Sequence, residues 1–349
     1  MFDADWSQCS FKQFFPAWNK TLIDLMVNEC NSTLDLYRTH PHSAYALAGC
    51  LLDSTPSFRQ SEMNAVSVML GLTPTAIGLI GPTTVQTSML GLRKPILALM
   101  VALGTPAVGP QRGRDFVMAV KRMGKPFPIP STIASYDDDI SNPKHKNFIS
   151  GICLGFVKIF WTIWPLGVYL VVMGCMANNA YLAYQLGCWC ICSFSPPASW
   201  LPSLWMYLAL VVHIVSVMTM WRLVTVSGGP STQADTPMQW LLWKLQMEMD
   251  ELTPLVAHVR EGLPGKDDWF QLLVWALYVG ASLHVLFGLV VLAGMLFISM
   301  QDAAFVVARY VACTLVCRLI VVVENVKIRK LGFNIEQEVD WSDVIDYTY

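Results

Sequence analysis

No Asp, Glu, Lys or Arg occurs between Ile159 and Trp221. So long a gap in charge excludes a soluble domain, in which roughly a quarter of residues are charged. Over the whole chain, charged residues make up only 14% and hydrophobic ones 54%. Other absences narrow the reading further. Met1–Lys20 has neither the basic start nor the apolar core of a cleavable signal peptide. There is no GxSxG, no HExxH, no phosphate-cradling glycine loop and no paired Asp-rich motif, so the common hydrolase, zinc-peptidase and nucleotide-binding signatures are missing. No internal repeat or inverted pair of broken helices points to a transporter with two-fold pseudo-symmetry.

What is present is a set of apolar runs. A spanning helix needs ~20 mostly apolar residues, because its backbone groups must be satisfied within the hydrocarbon. Ile159–Ala180, Ser203–Trp221, Trp269–Ile298 and Ala303–Val323 meet that length. Met63–Ile80 is near the minimum and contains Pro74. Ile96–Val108 is apolar but short, which suits a re-entrant or buried segment. The expected fold is therefore all-α and polytopic, with five transmembrane helices. The rival has six, with Ile96–Val108 crossing.

Three signals orient the chain. Lys and Arg gather in Pro110–Asn147, in the loop after Trp221 and at Lys327, Arg329 and Lys330, which marks those segments as cytosolic. Outside the spans, Cys occurs only at Cys9, Cys30, Cys50, Cys188, Cys190 and Cys192. These six are candidate disulfide partners in an oxidising compartment, with pairing open. Cys153, Cys175, Cys313 and Cys317 lie in or beside spans and read as packing residues. Asn19-Lys20-Thr21 and Asn31-Ser32-Thr33 match the N-glycosylation pattern, which makes Asn19 and Asn31 candidate acceptors. All three signals put the N-terminus outside and the C-terminus in the cytosol, at the plasma membrane or a secretory-pathway membrane.

The organisation along the chain follows. Residues 1–62 form an outer segment. Residues 63–109 hold the first span and the short apolar segment. Residues 110–148 form a cytosolic loop, expected to be irregular because of Pro126, Pro128 and Pro130. Residues 149–226 form a transmembrane hairpin with a Cys-rich outer loop at 187–202. Residues 227–268 are cytosolic and carry an amphipathic helix over 238–253, where Met238, Leu241, Leu245, Met249 and Leu252 repeat at helical spacing. That helix is a candidate protein-docking surface, or it packs on the protein's own inner face. Residues 269–325 form a second hairpin, and 326–349 an acidic cytosolic tail. Asp137-Asp138-Asp139 lacks the spaced ligands of a calcium loop.

Ionisable groups within spans call for a functional hypothesis. His213 and His284 sit near the middle of different spans, and Arg309 and Arg318 lie on roughly opposite faces of the last one. These four form the candidate intramembrane polar site. Asp302 is a candidate partner of Arg309 near the outer boundary, and Arg318 either snorkels inward or meets Glu324. The structural alternative is packed, hydrogen-bonded histidines and snorkelling arginines. No catalytic residue, cofactor, metal ion or nucleic acid is expected; the bilayer is the expected partner.

The strings PAWNKTLIDLMVNECNSTL at Pro16–Leu34, MLGLTPTAIGLIG at Met69–Gly81, LGLRKPILALMVALGTPAV at Leu90–Val108 and DAAFVVARYVACTLVCR at Asp302–Arg318 resemble a family of multi-span membrane proteins of filamentous fungi. The resemblance implies a multi-span fold with an outer, cysteine-bearing N-terminus. It carries over no activity and no functional residue. Three functions are compatible with these features. The leading one is a non-enzymatic receptor-like, scaffold or accessory component. The second is a transporter or channel with a polar path near His213, His284 and Arg309. The third is a membrane-embedded enzyme acting on a lipid or hydrophobic metabolite.

Overall fold

Three short helices precede the first long one. The computed structural model describes residues 9–123, 148–227, 248, 256–259, 268–330 and 334–335. Helices α1 (Asn19–Asn28), α2 (Asn31–Thr39) and α3 (Ala44–Ser54) form a cap. Spacing of four residues places Leu22 with Met26 on α1 and Leu47 with Leu51 on α3, and all four are buried. Phe14 and Trp18 complete this small core, and Met63, Ile191 and Phe297 enter it from beyond the cap. So short a segment cannot sustain a core by itself; these three residues weld it to the rest of the molecule.

Five helices are long and apolar enough to cross a membrane. They are α4 (Ser57–Ile80), the Pro165–Trp189 part of α8 (Phe148–Trp189), α9 (Leu201–Leu223), α10 (Asp268–Ala293) and α11 (Met300–Lys330). In none of them is more than 44% of the apolar window buried, so most of each span faces outward. Leu79, Leu166, Leu283 and Leu319 are among the large side chains left exposed there. Hydrocarbon, not water, suits such a surface. The protein is an integral membrane protein with five spans.

Between α4 and α8 the chain makes α5 (Thr84–Arg93), α6 (Pro95–Gly104) and α7 (Gly113–Met123). A capping box between Thr83 and Gln86 starts α5, and Pro95 starts α6. The 10 residues of α6 rise only about 15 Å, half of a bilayer core. Lys94, before α6, contacts Glu324 of α11, whereas Thr105, after it, contacts Thr314. Thus α6 follows α11 for part of its length and stops, and the short apolar segment dips rather than crosses.

A chain that breaks among the spans must satisfy its backbone there. Asn179 Nδ2 donates to the Gly104 carbonyl at 2.6 Å, and Thr105 Oγ1 accepts from the Ala107 N–H at 3.2 Å. Gly81 ends α4 where the irregular segment after Gly104 crosses it. A Cβ at Gly81 would strike Ala107 and the Ile77 carbonyl, so the crossing requires glycine.

Five short strands accompany the helices: β1 (Ile191–Cys192), β2 (Val224–Ser227), β3 (Val256–Val259), β4 (Met295–Leu296) and β5 (Asn334–Ile335). β1 pairs antiparallel with β4, with Ile191 opposite Leu296. This joins the two turns on the cap side. β2, β3 and β5 form a second small sheet at the other end of the spans.

Several expectations change. Pro110–Asn147 is not irregular throughout, because α7 buries Phe116, Val117 and Val120 and exposes Arg114 and Arg122. The fourth span ends at Ala293, not Ile298. Gly294 turns the chain, and Met295 and Leu296 are taken up by β4. Phe297 then adopts a φ of 63°, a conformation unfavourable for a bulky residue. Its ring is fully buried and edge-on to Phe14, which holds it there. The Asp137–Asp139 run, the helix expected over 238–253 apart from Glu248, the side chain of Cys153 and the acidic tail beyond Ile335 lie outside the described residues.

Candidate functional site

The ionisable groups in the spans do not converge. His213 of α9 is buried, and its Nδ1 shares a 2.9 Å hydrogen bond with Thr87 Oγ1 of α5. His284 of α10 is also buried; its Nε2 lies 3.0 Å from the Trp205 carbonyl, and its ring stacks on that indole at 18°. Each histidine therefore joins two helices through its own partner.

The arginines are likewise separate. Arg309 donates Nε and Nη2 to Asn178 Oδ1 at 2.9 and 2.6 Å, and Nη1 to Gln185 Oε1 at 3.1 Å. Its guanidinium also sits 5.6 Å from the Tyr181 ring centroid. Asn178, Tyr181 and Gln185 rise along one face of α8. Asp302 does not partner Arg309, a correction; it accepts from Ser299 Oγ and from the Ala17 N–H of the cap. Nor does Arg318 pair with Glu324. Its Nη1 donates to the Ile80 carbonyl at 2.7 Å, satisfying the broken end of α4. Glu324 instead binds Lys94 at 2.8 Å and Lys327 at 2.9 Å.

On the cap side, Cys9 is bonded to Cys188 and Cys30 to Cys50. The first bond bridges a separation of 179 residues, so the N-terminal segment is stapled to the loop between α8 and α9. Cys190 and Cys192 are buried free thiols, a correction to the six-cysteine set. Cys192 lies in β1, where the ladder with β4 fixes the backbone, and burial pushes both thiols above their ordinary titration range. Tyr45 of α3 donates its hydroxyl to the Phe194 carbonyl, and Met300 N–H donates to Glu62 Oε1. Cap, loop and both hairpin turns are thus one connected unit. Asn31 is exposed, while Asn19 is half-buried and accepts from the Phe14 N–H through Oδ1.

A concavity lies on the side of the bundle, among α5, α6 and α9. It holds about 330 Å³. Ile96 and Leu99 of α6 face Ile214 and Met218 of α9 across it, and all four are exposed on the outer surface. Thr87, His213 and Glu248 are its polar wall residues. Glu248 is buried, and each of its oxygens is occupied. Oε2 accepts from Ile96 N–H at 3.1 Å; Oε1 accepts from Leu97 N–H and from Tyr169 OH, both at 2.7 Å. The carboxylate thus caps the orphan amides of the first turn of α6. Glu248 was missed as a site residue because its partners are distant in the chain; its only sequence signal is an acid within an apolar repeat.

Among the described residues no group of three or more His, Cys, Asp or Glu side chains is placed to hold a metal ion. No family model, curated protein or solved structure matches this chain.

Proposed function

We propose that the protein is a non-enzymatic, receptor-like, scaffold or accessory component of the plasma membrane or a secretory-pathway membrane. Its N-terminus is outside and its C-terminus cytosolic. The observation that carries this reading is the Cys9–Cys188 bond, which fastens the N-terminal segment to the loop between two spans. Disulfides of this kind form in oxidising compartments, in agreement with the placement of Lys and Arg and of the acceptor sequences. The cap is a built surface on one side of the membrane. His213, His284, Arg309 and Arg318 each make hydrogen bonds that join one helix to another, and both oxygens of Glu248 accept hydrogen bonds. The resemblance to the multi-span fungal family supports the outer, cysteine-bearing N-terminus of this reading and carries no activity.

Two measurements test it. Glycosidase treatment should increase the mobility of the expressed protein, and Asn31→Gln should abolish that shift more fully than Asn19→Gln. An unshifted protein whose Cys30 is labelled from the cytosol reverses the orientation. Proteoliposomes should show no solute or ion flux above empty vesicles; a flux lost in His213→Leu and His284→Leu would establish the transport alternative instead.

A further inference from the structure

Helix α7 lies between two spans, and they fix its side of the membrane. Span α4 leads away from the cap, and α8 returns to it at Cys188, which is bonded to Cys9. The chain between them therefore emerges opposite the cap, on the cytosolic face in the orientation proposed above. Phe116, Val117 and Val120 of α7 are buried in a core cluster that also holds Leu223, Phe270 and Ile328, near the ends of α9, α10 and α11 on that side. Leu223 and Phe270 lie within two residues of Trp221 and Trp269, which are exposed. Exposed tryptophans at span ends mark the membrane–water boundary. The other face of α7 carries charge. Arg114, Met118 and Lys121 follow one another along it at helical spacing, with Arg122 beside them. Arg114 and Arg122 are exposed, and so is Arg112 just before the helix. Among these cations stands a single acid, Asp115, whose Oδ2 accepts from the Arg112 N–H at 2.8 Å. Among the described residues, the ion pairs on this side join Glu324 to Lys94 and Lys327 and leave α7 out.

From these features we infer that α7 is an interfacial helix whose basic face, Arg112, Arg114, Lys121 and Arg122, binds the head groups of anionic phospholipids. The partner follows from charge complementarity and from the level at which the helix is held. Anionic lipids give the cytosolic leaflet its negative surface potential, and each Lys or Arg near that surface strengthens attachment about fivefold. Zwitterionic head groups offer no such gain. An amphipathic helix that lies in the interface alone sinks its apolar face into lipid. Helix α7 spends that face on the protein core, so the bundle holds it and its charges meet the head groups. The cytosolic address rests on the proposed orientation; the preference for anionic lipid does not.

The test uses the full-length protein in phosphatidylcholine nanodiscs with a trace of phosphatidylserine that carries a photoreactive group near its head. Labelled peptides should come from residues 112–122, and added unlabelled phosphatidylserine should suppress the labelling. Arg114→Gln should weaken it about fivefold, and the Arg114→Gln/Arg122→Gln double variant about 25-fold. Arg114→Lys/Arg122→Lys should keep most of it, because the attraction needs charge and not a planar fork. Raising the ionic strength from ~0.05 to ~0.5 M should reduce it by screening. Both arginines are exposed, so the melting temperature in pure phosphatidylcholine should be the same in every variant. Both leaflets of a nanodisc hold the same lipids, so a reversed orientation in the cell would leave these results intact. Equal labelling of residues 112–122 by a matching phosphatidylcholine probe, or labelling unchanged in the double glutamine variant, would overturn the assignment. Labelling that appears only after residues 336–349 are removed would give the basic face to the acidic tail and overturn it as well.

Discussion

Lys94 and Glu324 meet at 2.8 Å with both side chains almost fully buried, across 230 residues of sequence. Their pairing fixes the turn between α5 and α6 to the far end of the last span. Lys327 shares the carboxylate, so the three residues are not equivalent. Glu324→Gln removes the counter-charge from a buried ammonium and should destabilise the protein by about 3–5 kcal/mol. Lys94→Met leaves Glu324 with Lys327 and should be milder. The Lys94→Met/Glu324→Met double variant should recover much of the loss. Tryptophan-fluorescence melting in nanodiscs ranks the three; a double variant no better than Glu324→Gln would refute the pairing argument.

Arg309 makes three hydrogen bonds to two side chains of α8. A lysine has no planar fork, so it cannot place two donors on Asn178 Oδ1 in the same way. Arg309→Lys should therefore resemble Arg309→Met more than wild type. The methionine variant should lose about 1.5–3 kcal/mol, the range for hydrogen bonds to a charged group. A melting temperature of Arg309→Lys equal to wild type would show that charge alone suffices.

Burial raises the titration of Cys190 and Cys192. Because the thiolate is the reactive form, both should resist alkylation at pH 8 in the folded protein and react after denaturation. The sign for stability follows. The folded state holds these protons more tightly than the unfolded one, so their contribution is complete below the ordinary thiol value of about 8.5 and declines as pH rises above it. Cys9→Ser should separately weaken the cap by about 2–4 kcal/mol and should expose Cys188 to alkylation. Rapid labelling of native Cys190 would contradict its burial.

Gly288 of α10 faces Trp205 of α9 so closely that a Cβ would overlap the indole, including Cε2 at 2.7 Å. Gly288→Ala should lower stability by about 1–3 kcal/mol through overpacking. Gly280→Ala, on the same helix, meets only Val212 at 4.0 Å and should be close to neutral. Equal melting temperatures for the two variants would remove Gly288 as the determinant of the α9–α10 contact.

The spans were legible because hydropathy acts locally, and α4, α9 and α11 appear where their apolar runs lie. The side of the molecule carrying the disulfides was legible for the same reason. Partners were not. Arg309 finds Asn178 at a separation of 131 residues, and the choice between Asn178 and Asp302 depends on which face of α8 packs on α11. Helix α7 was hidden by the prolines after it, although Phe116, Val117 and Val120 already had helical spacing. The early end of α10 depends on β1, a strand two residues long that no local pattern announces. For the candidate site, His213 was visible as a mid-span histidine; Thr87 and Glu248 became its neighbours only through tertiary packing.

The Cys9–Cys188 bond also imposes an order on biosynthesis. Cys30 and Cys50 emerge from the ribosome close together and can join while most of the chain is still unmade. Cys9 must remain reduced, or be held in a temporary bond, until the whole helix ending at Trp189 has been threaded through its channel. Closure of this bond therefore reports that α8 has returned the chain to the side of the membrane that holds Cys9. A chain in which α8 failed to cross would leave Cys9 and Cys188 in different compartments, unable to meet.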